Sequence, residues 1–371
     1  MSHAAVAVIK ASALRNNLNT IKRKAVNCRV MAVVKANAYG HGLVPVAEIL
    51  AAAGVDAFGV ARIEEGVALR EAGISQTIVA LEGCVNSEEA IEAVRHRLDV
   101  VLHESSQFAI LEGLPEDQRP VLWLKLDTGM GRLGFPPEKL PYCLDRIADK
   151  QLASARPALM THFACADAPN DPATTDQMRY FGKAMGDYAG DVSMANSAAI
   201  FVWPKSLAST NLCSYAGRNW VRPGIALYGG SPLPGVAARE LNLEAAMSFE
   251  SRLISVKTLR SGDRVGYGGG WVARRDTILG VVAAGYGDGY PRCLETGTPV
   301  LVNGHRARLV GRVSMDMLTV DLSDVPVARV GDKVVLWGAN LPVEEIAARA
   351  KTISYELMCG LSQRVAYRYE D

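Results

Sequence analysis

Between residues 28 and 228, short apolar runs rich in β-branched residues alternate eight times with stretches rich in Ala, Leu and Glu. The runs are Val30–Val34, Ala57–Val60, Thr77–Leu81, Asp99–Leu102, Val121–Leu126, Ala158–Thr161, Val192–Ala195 and Val221–Leu227. Segments with helical composition lie between them, among them Val44–Ala53, Ile63–Ala72, Ser87–Arg95 and Pro137–Lys150. Strands that are apolar along their whole length are buried on both faces, as in a parallel sheet covered by crossover helices. Eight such units predict an α/β fold, a (β/α)8 barrel of the TIM type, in which chemistry collects at the C-terminal strand ends.

After Gly229-Gly230-Ser231-Pro232-Leu233-Pro234-Gly235 the pattern changes to strands separated by Gly-rich turns: Met247–Leu259, Thr277–Ala283, Pro299–Val302 and Lys333–Trp337. The expected organisation is a barrel domain over residues 1–239, its first few residues pairing with the second domain, and a mostly β C-terminal domain over 240–371.

Lys and Arg number 40 against 39 Asp and Glu, so the chain carries no electrostatic footprint for nucleic acid or an anionic membrane. Any phosphate or carboxylate must be held by local groups. The seven cysteines, 28, 84, 143, 165, 213, 293 and 359, are scattered and form no C-x-x-C pair. The six histidines form no H-E-x-x-H or similar spacing. Reduced thiols, a cytoplasmic location and the absence of a metal site are the expectations. Met1 to Leu18 mix Lys10, Arg15 and Asn17 into a short apolar stretch, unlike a signal peptide, and no run reaches membrane-spanning length.

Polar groups lie within or just after five of the eight runs: Lys35 at the first, Lys125 to Arg132 at the fifth, His162 at the sixth, Asn196-Ser197 at the seventh and Arg222-Pro223-Gly224-Ile225 at the eighth. Packing alone does not place five such sets on one face of a barrel. Lys35 ends the run Val30-Met31-Ala32-Val33-Val34-Lys35 and enters the small-residue turn Ala36-Asn37-Ala38-Tyr39-Gly40-His41-Gly42. An amine held in a dry pocket loses part of its preference for the ammonium form and becomes a nucleophile for an aldehyde. A lone strand-end lysine otherwise snorkels to water.

The string Val33-Val34-Lys35-Ala36-Asn37-Ala38-Tyr39-Gly40-His41-Gly42 resembles the pyridoxal-phosphate lysine segment of the alanine racemases. The resemblance continues in order through Leu124 to Phe135, Met160 to Phe163, Ala195 to Ala198, Trp220 to Gly229, Arg264 to Gly269, Ala284 to Pro291, Gly311 to Met317 and Ile353 to Met358. It implies a homodimer with shared active sites that interconverts L- and D-alanine on pyridoxal 5'-phosphate. The D-alanine either supplies peptidoglycan or is catabolised.

Racemisation needs an acid/base group on each face of the α-carbon. The resemblance assigns one face to Lys35 and the other to Tyr267 of the partner subunit. It also implies that an arginine, Arg222, faces the cofactor's ring nitrogen. A guanidinium only donates, so it keeps that nitrogen unprotonated and weakens the electron sink. Tyr39, Ser197, Gly224, Ile225 and Tyr355 match the phosphate-binding positions, and Asn196 adjoins them. Arg132 matches the arginine that meets the cofactor's phenolic oxygen and the substrate carboxylate, and Lys125 a lysine that is carbamylated in some relatives. His162 resembles the histidine that links the tyrosine base to the pyridine-binding arginine. Met315 matches the residue whose amide binds the substrate carboxylate, and Tyr286, with Tyr355, the pair that narrows the entrance.

One position departs from the pattern: relatives carry histidine three places before the asparagine of Asn196-Ser197, whereas this chain has Ser193. The relay behind Arg222 is then shorter or completed by water. Three alternatives share parts of the pattern. They are a broad-specificity amino-acid racemase, an amino-acid decarboxylase of the same architecture, and a single-domain pyridoxal-phosphate carrier. Tyr267 and Ser314-Met315-Asp316 weigh against the decarboxylase, and the roughly 130 residues of the second domain against the carrier.

Overall fold

The eight apolar runs become eight parallel strands that close on one another. A computed structural model describes residues 5–207 and 217–371; residues 1–4 and Cys213 lie outside it. Strand β1 (Val6–Lys10) precedes the barrel strands β2 (Cys28–Val33), β3 (Ala57–Val60), β4 (Thr77–Ala80), β5 (Asp99–Leu102), β6 (Leu122–Lys125), β7 (Ala158–Met160), β8 (Val192–Asn196) and β9 (Asn219–Arg222). β2 pairs with both β3 and β9, which completes the ring.

Crossover helices cover the outside. Helix Ala11–Lys24 buries Leu14, Leu18 and Ile21, four and then three residues apart and therefore on one face. Helix Ser87–Arg95 begins where the Asn86 side chain accepts from the Glu89 amide at 2.8 Å, which satisfies one orphan N–H of its first turn. Inside the barrel Met31, Ala57, Val79, Val101, Trp123, Ala158, Met160 and Trp220 form one packed cluster. Trp123 and Trp220 meet edge to face at 5.6 Å. Their indole N–H groups donate to Asp99 at 3.0 Å and Asp191 at 2.8 Å.

The eighth run departs from expectation. Val221–Leu227 reads as one strand, but β9 ends at Arg222 and Ile225–Tyr228 forms a 3-10 turn. Pro223 lacks an N–H to continue a ladder. Gly224 adopts φ −114°, ψ −94° beside Tyr39, whose hydroxyl lies 2.2 Å from where a Cβ on residue 224 would sit. Pro137–Lys150 likewise divides into a 3-10 turn, Pro137–Lys139, and an α-helix, Leu140–Asp149.

The second unit contains β10 (Met247–Leu259), the short hairpin β11 (Arg264–Val265) and β12 (Trp271–Val272), β13 (Thr277–Val282), β14 (Pro299–Val302), β15 (His305–Leu309), β16 (Leu318–Asp321), β17 (Lys333–Trp337) and β18 (Ala366–Glu370). β13, β16, β15, β14, β17 and β10 pair in turn, and β10 pairs again with β13, so these six antiparallel strands also form a ring. The long strand β10 serves two partners along its length, and β1 adds to its N-terminal half. β18 then runs parallel to β1. The first and last described strands thus meet, tying the chain's end to the start of the barrel.

Candidate active site

A cavity of about 1810 Å³ opens at the C-terminal ends of the barrel strands and extends beneath the second unit. Lys35, Tyr39, Lys125, Arg132, His162, Asn196, Ser197, Arg222, Gly224, Ile225 and Tyr355 all line it. Each arrives from the end of a barrel strand except Tyr355, which the helix Ser354–Cys359 brings over the mouth.

Lys35 leaves β2 into an unusual turn. Ala36, Asn37, Ala38 and Tyr39 have φ between 52 and 54° and ψ between 40 and 55°, a left-handed helical turn of L-residues. Such a conformation costs about 1–2 kcal/mol per residue, so it persists only where surrounding contacts over-determine it. The Ala36 amide donates to Glu65 Oε1 at 2.7 Å, and Glu65 Oε2 accepts from Ala61 at 2.8 Å. His41 ends the turn wholly buried, its Nδ1 2.9 Å from the Tyr39 carbonyl oxygen. Burial pushes its pKa down to about 4, so the ring is neutral.

Arg222 is buried at the end of β9. Its Nη1 donates to Ser193 Oγ at 2.5 Å, and its Nη2 donates to the Thr161 carbonyl at 2.5 Å and to His162 Nδ1 at 3.3 Å. Its Nε makes no hydrogen bond among the described residues. Burial lowers the guanidinium pKa to about 10, which leaves it charged at neutral pH. The Ser193 hydroxyl donates in turn to the Trp220 carbonyl at 2.8 Å. The direct Arg222–Ser193 bond is therefore the shorter of the two arrangements the sequence allowed.

The site is electropositive in a chain of net charge +1. Burial and then the charges of Arg222, Lys125, Arg132 and Lys35 hold His162 well below the usual imidazole range. Burial, followed by Arg222, Arg132 and Lys35, lowers Lys125 to about 8. Four cationic side chains around one cavity suit an anionic ligand. On the wall nearest Tyr39, Ser197 Oγ accepts from Gly224 at 2.9 Å, while the Ile225 amide has no acceptor among the described residues. A hydroxyl and backbone amides beside a glycine at close approach form a phosphate-sized cradle.

Sequence reasoning missed the groups that hold these loops. Asp127 accepts from the amides of Gly129, Met130 and Gly131 through Oδ1 and from Arg132 through Oδ2, at 2.9–3.2 Å. Gln177 accepts from Ala164 at 2.9 Å and donates to the His162 carbonyl at 2.9 Å. It thereby joins its helix to the loop after β7. The signal for Asp127 was present in Asp-Thr-Gly-Met-Gly, a carboxylate followed by glycines that free the amides to turn inward. Gln177 lies mid-helix and gives no local signal.

Tyr267, Tyr286 and Met315 do not line the cavity. They project from the second unit and are 73%, 40% and 52% exposed. Tyr267 sits in the turn between β11 and β12, where Gly266, Gly268 and Gly269 take φ of 74, 75 and 55°. Tyr286 and Gly287 donate to the carbonyls of Ser314 and Met315 at 3.0 and 2.8 Å, which joins those two loops. The Met315 amide donates to no acceptor among the described residues. The structure thus divides the candidate residues into two sets, one lining the barrel mouth and one exposed on the second unit.

Residues 9–232 match the family model described as alanine racemase, N-terminal domain, and residues 246–369 match that described as alanine racemase, C-terminal domain. The chain belongs to the alanine racemase family. The C-terminal match separates it from single-domain relatives. It is 47% identical over 364 residues, 97% of each chain, to the alanine racemase of Shewanella amazonensis. The fold superposes on the biosynthetic alanine racemase of Pseudomonas aeruginosa with a TM-score of 0.91, at 43% identity over the whole of both chains. The Bartonella henselae alanine racemase, whose structure holds covalently bound pyridoxal phosphate, gives a TM-score of 0.86 at 28% identity, again over both whole chains.

Proposed function

We propose that this chain is a pyridoxal-phosphate-dependent isomerase that interconverts L- and D-alanine, working as a homodimer in which each active site draws on both subunits. The observation that carries the reading is one cavity lined by a lysine amine, a buried guanidinium and a hydroxyl-and-amide cradle. The donor set fits the cofactor. Lys35 would hold its aldehyde carbon, the unpartnered Nε of Arg222 its ring nitrogen, and Tyr39, Ser197, Gly224, Ile225 and Tyr355 its phosphate. Asn196, His162 and Arg132 line the same cavity and would complete the cofactor's surroundings. When bound, pyridoxal phosphate supplies an electron sink that acidifies the substrate's α-proton.

The Lys35 amine would move a proton on one face of the substrate's α-carbon. The other face needs a second group, and Tyr267 of the partner subunit is assigned to it. Tyr267, Tyr286 and Met315 are exposed on the second unit and lie outside their own chain's cavity. A second copy related by a two-fold axis would bring them to the barrel mouth. There Tyr267 protonates or deprotonates, the free Met315 amide meets the substrate carboxylate with Arg132, and Tyr286 with Tyr355 narrows the entry to a methyl-sized pocket.

Lys125 is a buried amine whose lowered pKa leaves a neutral fraction near pH 7. That fraction would add carbon dioxide and release a proton to give a carbamate, whose negative charge pairs with Arg132. The domain reading is a barrel unit over 1–239 and a β unit over 240–371. Among the described residues no helix is long and apolar enough to cross a membrane, and the proposed setting is the cytoplasm.

The test is incubation of the purified protein with L-alanine in deuterated water. Joint α-deuterium incorporation and loss of optical rotation are expected. Carbon dioxide release would instead identify a decarboxylase. Equal turnover of serine or larger amino acids would identify a broad-specificity racemase.

A further inference from the structure

The left-handed turn that carries Lys35 is held from the far end of the chain. The Tyr367 hydroxyl donates to the Gly40 carbonyl at 3.0 Å, and the Tyr369 hydroxyl donates to the His41 carbonyl at 3.0 Å. Both tyrosines belong to β18, two residues apart and so on one face of the strand, and their rings stack at 6.5 Å with 17° between planes. β18 is fixed in register by its parallel pairing with β1.

The contact is shaped to exclude anything else. A Cβ on residue 42 would lie 2.0 Å from the Tyr369 hydroxyl, and one on residue 40 would lie 1.9 Å from the Met358 carbonyl. Gly40 and Gly42 have φ of 77 and 95°, so these positions need glycine for conformation as well as for space. Burial pushes both phenols above their ordinary range, Tyr369 to about 12. They remain hydroxyl donors across the working pH range.

Glu65 grips the start of the turn at Ala36, and the two hydroxyls grip its end. Between those anchors four residues remain in a conformation that L-side chains avoid. We propose that Tyr367 and Tyr369 are positioning residues which clamp the Lys35 turn in its left-handed form, so that the last strand of the second unit sets the geometry of the lysine in the first. The inference rests on the reading of Lys35 as the cofactor lysine. Its physical content, the clamp on the turn, is measurable without the cofactor.

The test compares wild type with Y367F, Y369F and the double variant, with Y188F as a control. The Tyr188 hydroxyl also donates to a backbone carbonyl, that of Pro157, far from the turn in sequence. Amide hydrogen exchange on the cofactor-stripped protein should speed up at least ~10-fold in the peptide spanning 35–43 for the double variant, with peptides from β3 to β6 unchanged. After reloading with pyridoxal phosphate, kcat for alanine should fall about 10-fold while KM changes less than about 2-fold. Y188F should alter neither. If the double variant fails to fold, each single variant should give a smaller acceleration confined to the same peptide.

Unchanged exchange at 35–43, or an acceleration matched by Y188F, overturns the clamp. Borohydride reduction of the wild-type holoenzyme separates the two claims. A pyridoxyl label on another lysine defeats the reading of Lys35 and leaves the exchange result to decide the clamp.

Discussion

Ser193 stands directly behind Arg222: its hydroxyl accepts from the guanidinium Nη1 at 2.5 Å and itself donates a hydrogen bond to the Trp220 carbonyl. A serine here reaches the arginine without an intermediary and anchors it to the backbone of the same strand. Ser193→Ala leaves a buried guanidinium N–H without an acceptor. The expected cost is about 1–3 kcal/mol of stability, read from denaturant unfolding, with a fall in kcat. A variant as stable as wild type would mean that the bond holds nothing.

Arg222→Glu tests the electronic role of that guanidinium. A carboxylate at this position would let the cofactor's ring nitrogen take a proton and strengthen the sink. Racemisation should fall by ~10²-fold or more, and pyruvate formed per racemisation event should rise. An unchanged pyruvate ratio would refute the argument.

The fold was legible because its signal is repeated. Seven of the eight barrel strands appear within two residues of the apolar runs that foretell them, since burial on both faces of a parallel strand leaves composition little choice. The eighth run extends past the strand's true end at Arg222, because an apolar run buried in a 3-10 turn looks like one buried in a strand. Strand-end positions gave the barrel half of the site. What sequence withheld was long-range: Gln177 on a distant helix, and the tyrosines of β18 against Gly40 and His41. The left-handed turn was also hidden, since Ala36-Asn37-Ala38 states small size and not handedness.

Asp127→Asn should loosen the loop that carries Arg132. Partial burial raises the Asp127 carboxyl, but its four amide donors outweigh that and hold it below the usual range. The anion therefore persists well into acid. An asparagine would turn an N–H group toward one of those donors. The expected result is a loss of about 1–3 kcal/mol of stability and a raised KM for alanine, measured by unfolding and steady-state kinetics. Asp127→Asn with wild-type KM would remove the loop from the account.

Asp99 contributes a pH dependence of the opposite sign. Burial raises its carboxyl to about 6, against the helping bond from Trp123 and the charge of Arg70. The folded state then binds this proton more tightly than the unfolded chain, whose aspartate titrates near 3.9. The stabilisation is complete below pH ~4 and is lost as pH rises through about 6. Asp99→Asn keeps an acceptor for the indole and removes the charge. Its Tm relative to wild type should rise between pH 4 and 7, by an amount equivalent to at most roughly 2–3 kcal/mol. A difference that is flat with pH would contradict the assignment.

The most direct measurement mixes two inactive proteins. In a Lys35→Ala homodimer and in a Tyr267→Ala homodimer every site lacks one proton-moving group, so both should be nearly inactive. Reassembled together, each hybrid dimer carries both lesions in one site and leaves the other whole. Random pairing at equal amounts makes about half the dimers hybrid, and activity should return to roughly a quarter of wild type. Hybrid formation is followed independently with two affinity tags. Tagged hybrids whose activity stays at the mutant background would place both groups in one chain and contradict the shared site.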